Sequence, residues 1–170
     1  MSVDTLLELL HEAAADGILE EAPPGGGWYH FTHTLIHETL LEELPETQRV
    51  RVHGRIAQVM EDLYGADVEA HAGELAYHFA KDVAVTGTEK LVRYSLMAGE
   101  RALAMSGEEG SLGHFRRALT AKQGQAVDAE TARLRFGLGR GLAATGHAGE
   151  ACVTMGRAFE SYVQLGDVAN

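Results

Sequence analysis

Cysteine, proline and long apolar runs are nearly absent from this chain. Its single cysteine, Cys152, excludes a disulfide scaffold. Three prolines and 20 glycines without a fixed period exclude collagen and a proline-rich disordered chain. No apolar run approaches the roughly 18 residues of a membrane-spanning helix, so no membrane partner is expected. The opening MSVDTLLELL has neither a basic stretch nor a small-residue cleavage site, which predicts no signal peptide and a cytoplasmic protein. Lysine and arginine are missing altogether from residues 1–48, where ten acids stand: Asp4, Glu8, Glu12, Asp16, Glu20, Glu21, Glu38, Glu42, Glu43 and Glu46. Nucleic-acid affinity rests on Lys and Arg contacts to phosphate, so this acidic third argues against direct nucleic-acid binding.

What is present is the composition of one or two small globular domains, with 45% hydrophobic and 23% charged residues in 170 and a formal net charge of −11. Val3, Leu6, Leu7, Leu10 and Ala14 make the stripe of an amphipathic helix, with Ser2 as its N-cap and Gly17 as its end. ILEE (18–21) and WYHF (28–31) flank APPGGG (22–27), a pattern that predicts a β-hairpin with a long loop. Thr32 is expected to cap a second helix carrying Leu35, Ile36, Leu40 and Leu44, stopped by Pro45.

Beyond residue 46 the periodicity predicts helices only. Val50, His53, Ile56, Ala57, Met60, Leu63 and Tyr64 form one stripe, and Val68, Ala72, Leu75, Ala76, Phe79 and Val83 another. Further helices are expected near 88–106, 108–122, 129–144 and 147–165, the last with a stripe of Ala148, Ala151, Cys152, Met155, Phe159 and Tyr162. These four contain a repeat: Gly99, Ser106, Ser111, Phe115 and Ala118 recur 40 positions later as Gly139, Gly146, Ala151, Met155 and Ala158. Small residues at these offsets let two helices approach closely while one larger residue fills the groove, as in tetratricopeptide hairpins. The period exceeds the motif's usual length, and the surplus falls in the linker AKQGQAVD (121–128). The expected fold is therefore mainly α: a partial winged helix with one β-hairpin over 1–45, linking and capping helices over 46–87, and two tetratricopeptide-like hairpins over 88–170.

Several constellations invite chemistry. No phosphate-loop motif is present, and Gly137-Leu-Gly139-Arg-Gly141 follows no strand, so these glycines are read as helix-packing residues. His71, Glu74 and His78 share a helix face at i, i+3 and i+7, which would suit a metal ion, although no fourth ligand is identifiable and packing histidines are the plainer reading. Cys152 lies in an apolar stripe, where an inert buried thiol is expected, and no nucleophile elbow occurs. No catalytic residue is assigned and no metal is expected. The first helix of each hairpin supplies candidate partner-binding residues for a concave groove: Tyr94, Arg101, Arg135 and Arg140.

The stretches WYHFTHTLIHETLLEELPETQRVRVHGRIAQVME (28–61), EAHAGELAYHFAKD (69–82) and LVRYSLMAGERALA (91–104) resemble the region after the ATPase module in large bacterial STAND-class ATPases. These include large LuxR-type transcriptional regulators and ATPase-containing adenylate or guanylate cyclases. The likeness lies in Phe31, His33, Leu35, Ile36, Glu38, Leu40, Leu44, Pro45, His53, Ile56, His71, Glu74, Leu75, His78, Phe79, Ala98, Gly99, Glu100, Ala102 and Phe115. It implies that residues 3–16 are the third helix of a winged-helix domain, that APPGGG is its wing, and that the chain is a piece of a larger regulator. His33 falls on a histidine that contacts the β-phosphate of ADP in related switch proteins, though Thr34 stands where that motif has an acid and His37 where LuxR-type sequences usually have Arg. The resemblance implies a non-enzymatic interaction and signal-relay segment, with ATP or ADP bound only in the intact parent and none in this chain. Its partner would be an upstream ATPase domain or another protein, with self-association through an uncapped stack. The alternatives are a free-standing helical-repeat adaptor, a DNA-binding winged helix and a small metal-dependent enzyme.

Overall fold

The computed structural model describes residues 2–22, 27–105 and 107–166. The fold is mainly α-helical with one small antiparallel hairpin. In chain order the elements are α1 (Val3–Ala15), β1 (Leu19–Glu21), β2 (Tyr29–Phe31), α2 (Thr34–Glu43), α3 (Glu46–Tyr64), a 3₁₀ segment (Gly65–His71), α4 (Ala72–Thr86), α5 (Glu89–Ala104), α6 (Glu108–Ala121), α7 (Ala129–Ala144) and α8 (Ala148–Gln164). The chain divides into two compact units, Met1–Arg49 and Val50–Asn170, with the boundary in the first turn of α3.

In the first unit Ser2 caps α1 as expected, its hydroxyl accepting from the Thr5 N–H at 3.1 Å. Gly17 follows the helix at φ +71°, and its N–H and that of Ile18 close the last turn on Ala14 and Ala13 carbonyls. The hairpin pairs Leu19 with Phe31 and Glu21 with Tyr29. Residues 23–26, most of the expected wing, lie outside the described residues. Thr32 does not cap α2. Its hydroxyl donates to the Gly17 carbonyl at 2.6 Å and so ties the end of β2 to the start of β1, leaving His33 at the N-cap position without a side-chain cap bond. None of the described residues up to Arg49 is buried.

The second unit is a succession of helices, each packed on its neighbours in the chain: α4 on α5, α5 on α6, α6 on α7 and α7 on α8, with α5 also reaching α7. One side of α5 gives Leu91, Tyr94 and Ala98 to a core with Ala57 of α3 and Leu75, Ala76 and Phe79 of α4. The other gives Val92 and Leu96 to a core with Phe115, Ala118 and Leu134, and a third core joins Leu112, Leu142 and Ala151.

The 40-residue repeat is reproduced in the geometry. Helices α5 and α7 begin 40 residues apart, as do α6 and α8. A Cβ added at Gly99 would lie 2.7 Å from the Phe115 ring, and one at the equivalent Gly139 would lie 2.6 Å from Met155 Cγ. A Cβ at Gly137 of α7 would lie 2.5 Å from the same Phe115 ring, and one at Gly141 would lie 2.8 Å from Leu112. The three glycines of α7 are thus points of close helix approach, as read from the sequence, and none follows a strand. Ser106, one position of the repeat, lies outside the described residues. The surplus linker is held by Lys122, whose ammonium donates to Asp128 at 2.6 Å and Glu130 at 2.9 Å, while Asp128 caps α7 through the Thr131 N–H.

The α8 stripe is corrected. Ala151, Ala158 and Ser161 face inward, whereas Cys152 is exposed and Phe159 is 61% exposed. Met155 lies against Gly139 of α7, while Cys152 and Phe159 lie on the exposed side of α8. Replacing Gly137 by Ala is expected to cost about 1–3 kcal/mol by overpacking the Phe115 ring. Gly113→Ala, at an exposed helical position with nothing within 4 Å of the new methyl, should instead raise stability by about 0.5–1 kcal/mol. Urea unfolding of the two variants checks both signs.

Candidate functional site

The residues singled out in the sequence do not converge on one place. His33 is exposed at the start of α2, with no side-chain bond into the helix. Its ring is therefore available to an outside acceptor, but one imidazole does not make a phosphate site.

The metal candidates separate. His71 leans on Glu74 at 3.7 Å and stacks flat on Tyr64, with ring centroids 3.5 Å apart. His78 instead meets His53 of α3, the two Nδ1 atoms 2.9 Å apart, so one ring donates and the other accepts. No group of three or more His, Cys, Asp or Glu is placed to hold a metal ion among the described residues.

Tyr94 is corrected from groove to core. It is 2% exposed, stacks on Phe79, and donates its hydroxyl to Glu61 at 2.6 Å. The reason is the position of α4, which covers the face of α5 that carries Tyr94. Lys90 completes the arrangement, reaching the other Glu61 oxygen at 2.5 Å while lying over the Phe79 ring. Burial alone would raise the Glu61 carboxyl, yet the bonds from Lys90 and Tyr94 hold it below its ordinary value. Burial and the bond to Glu61 push the Tyr94 phenol up to about 12. The group is a structural clasp between α3 and α5.

The three arginines take different roles. Arg101 is half-buried late in α5, Arg140 is exposed on α7, and Arg135 donates to the Ser161 hydroxyl of α8 at 2.6 Å. Arg135 also lines a cavity of about 400 Å³ with Lys122, Gln125, Thr131, Thr154 and Arg157. Lys122 belongs to the linker clasp: burial would lower it, but its bonds to Asp128 and Glu130 hold it above its ordinary value. The same contact, with the Thr131 bonds, outweighs burial at Asp128 and brings it down to about 2.

The sequence reading missed Glu61, Lys90, His53's link to His78, and Arg157. Their partners lie 25 residues or more away in the pairs His53–His78, Lys90–Glu61 and Tyr94–Glu61, beyond any local pattern. Lys122 carried the one available signal, a lone cation in the surplus linker shortly before Asp128 and Glu130.

The exposed apolar side chains are the most prominent feature of the surface. In the first unit they include Val3, Leu6, Leu7, Leu9, Trp28, Phe31, Leu35 and Leu40, and in the second Phe136, Val153, Phe159 and Val163 stand out on α7 and α8. No helix is long and apolar enough to cross a membrane among the described residues. No family model, no curated protein and no solved structure matches this chain.

Acid should loosen the second unit. Burial, then the charge of His53, pushes His78 below its ordinary 6.5, against a smaller opposing pull from Glu74. Burial, then Arg117, does the same to His114, whose Nδ1 is buried without a hydrogen-bond partner. The unfolded chain then binds more protons in that range, so the stability these rings contribute is present above about 6.5 and lost as pH falls through their folded values. Urea midpoints are expected to fall between pH 7 and pH 5, and the fall should shrink in a His78→Gln, His114→Gln double variant.

Proposed function

We propose that this chain is a non-enzymatic protein-interaction and signal-relay segment of a larger bacterial ATPase-type regulator. The observation that carries the reading is the first unit's lack of any buried residue among those described, combined with exposure of 72% at Trp28 and 74% at Leu35. Helices and a hairpin that keep their apolar faces open are built to be covered by another domain or chain. Ten acids and no base before Arg49 make that cover a protein surface rather than nucleic acid.

The second unit supplies what a relay needs, a run of helices in which displacement of one member is felt by the next through interlocked side chains. In the intact parent, His33 would stand at the start of α2 with its ring free to donate to a phosphate oxygen of ADP. The second reading, a free-standing helical adaptor, is favoured by the second unit having buried cores of its own.

An immunoblot of source-cell lysate with an antibody against residues 46–120 separates the two. A band several times larger than 18.3 kDa is expected for a segment of a regulator, and a band at 18.3 kDa would replace that reading with the adaptor.

A further inference from the structure

The cavity of about 400 Å³ in the second unit opens between the end of α6, the surplus linker and the facing sides of α7 and α8. Thr131, Arg135 and Leu138 reach it from α7 at the i, i+4 and i+7 stations of one helix face, and Thr154 and Arg157 reach it from α8 three residues apart. Lys122, Gln125 and Val127 wall it from the linker, so the residues by which this repeat exceeds its usual length help to enclose the space.

Its cations are of two kinds. Lys122 is neutralised, its ammonium held by both Asp128 and Glu130. Arg135 and Arg157 have no ion pair among the described residues, in a chain whose 25 acids outnumber its 14 lysines and arginines. Arg135 is nevertheless fixed in place: one of its N–H groups donates to the Ser161 hydroxyl at 2.6 Å, and that buried hydroxyl donates to the Arg157 carbonyl at 2.7 Å. Its remaining donors, the Arg157 fork and the Thr154 hydroxyl have no partner among the described residues.

Packing does not call for these groups. Forty residues earlier Leu91, Ser95 and Ala121 stand where Thr131, Arg135 and Ser161 stand in the second hairpin. The hollow there is lined by Ala80, Val83, Leu91 and Ala121 beside Arg117, and Ser95 is fully buried. Arg117 matches Arg157, but no cation matches Arg135. The second copy of the repeat has therefore gained a guanidinium, a buried serine that holds it and a linker that walls it in. A helix continuing the array beyond residue 170 would take the station that α7 takes on the first hairpin, over Cys152, Met155 and Phe159, the counterparts of Leu112, Phe115 and Leu119. None of those three lines the cavity.

We propose that this cavity binds a small organic phosphate, a monoester whose apolar body lies against Leu119, Val127 and Leu138. One arginine fork satisfies a carboxylate, whereas two forks from two helices and a free hydroxyl suit the three non-bridging oxygens of a phosphate monoester. The volume is that of a small-molecule site, roughly 300–1,000 Å³, rather than of a bare ion. The site goes beyond the relay reading and stands equally in a regulator segment or a free adaptor, where its ligand bridges α6, the linker, α7 and α8.

Calorimetric titration of the full chain at low salt tests it, with phenyl phosphate as the probe and inorganic phosphate and benzoate as comparison arms. Phenyl phosphate is expected to bind one per chain and about tenfold more tightly than either, since inorganic phosphate lacks the apolar body and benzoate the third oxygen. Arg157→Ala should weaken it about tenfold or more while leaving the urea midpoint unchanged, because that side chain is exposed and makes no bond within the described residues. Arg157→Lys should recover only part of the loss, as a point charge does in place of a fork. Arg140→Ala, an exposed arginine of α7 outside the cavity, should leave the affinity as it is, which separates a built site from general attraction to the chain's cations. Three results would overturn the proposal: no saturable binding, inorganic phosphate or benzoate binding as tightly as phenyl phosphate, or a loss from Arg157→Ala no greater than that from Arg140→Ala.

Discussion

The Phe115 ring, clasped between Gly99 of α5 and Gly137 of α7, sets the spacing of the second unit. Either glycine with a methyl group would come within 2.7 Å of that ring, so the three helices close only because two of them present bare backbone to it. From that contact follow the buried positions of Val92, Leu96, Ala118 and Leu134, and the approach of α7 that covers Leu112. Interiors packed to crystal density do not deform smoothly, so such a contact holds neighbouring helices to one register. The second hairpin repeats the device with the softer side chain of Met155 against Gly139.

Polar clasps fix what the apolar contacts leave free. Glu61 joins Lys90 and Tyr94 across α3 and α5, and Lys122 joins Asp128 and Glu130 across the linker before α7. Both pair a buried or half-buried ion with more than one partner, the condition under which a charge is tolerated away from water. The linker clasp explains how the surplus residues between α6 and α7 coexist with a constant repeat: they are tied back rather than inserted into the stack. Among its described residues the first unit shows no buried ion held by several partners: a cap, a three-residue strand pair and the exposed His30–Glu20 contact join its elements, and many of its apolar side chains stay open.

Much of this was legible in the sequence, for identifiable reasons. Helix α7 was bounded at 129–144 from its pattern alone, and Ser2, Gly17 and the hairpin at 18–31 were found because caps and turns are local chemistry. The repeat was legible because small and large residues alternate at fixed offsets whatever surrounds them. Apolar periodicity, by contrast, finds a stripe without saying whether a neighbour covers it. That is why Tyr94 was placed in a groove when α4 buries it, and why Cys152 and Phe159 were placed in a core that no described helix closes. Thr32 does not cap because the Gly17 carbonyl, 15 residues upstream at the start of β1, takes its hydroxyl, and the His53–His78 pair joins helices across 25 residues of sequence.

The clasp at Phe115 sets the register of the second unit, and a double-mutant cycle tests it most directly. Phe115→Leu and Gly137→Ala should each destabilise the protein alone. Combined, they should recover about 1 kcal/mol or more relative to their sum, because the smaller side chain makes room for the new methyl. Strict additivity in urea unfolding would mean that the two residues do not meet as described, and the register of α5, α6 and α7 would have to be explained by some other contact.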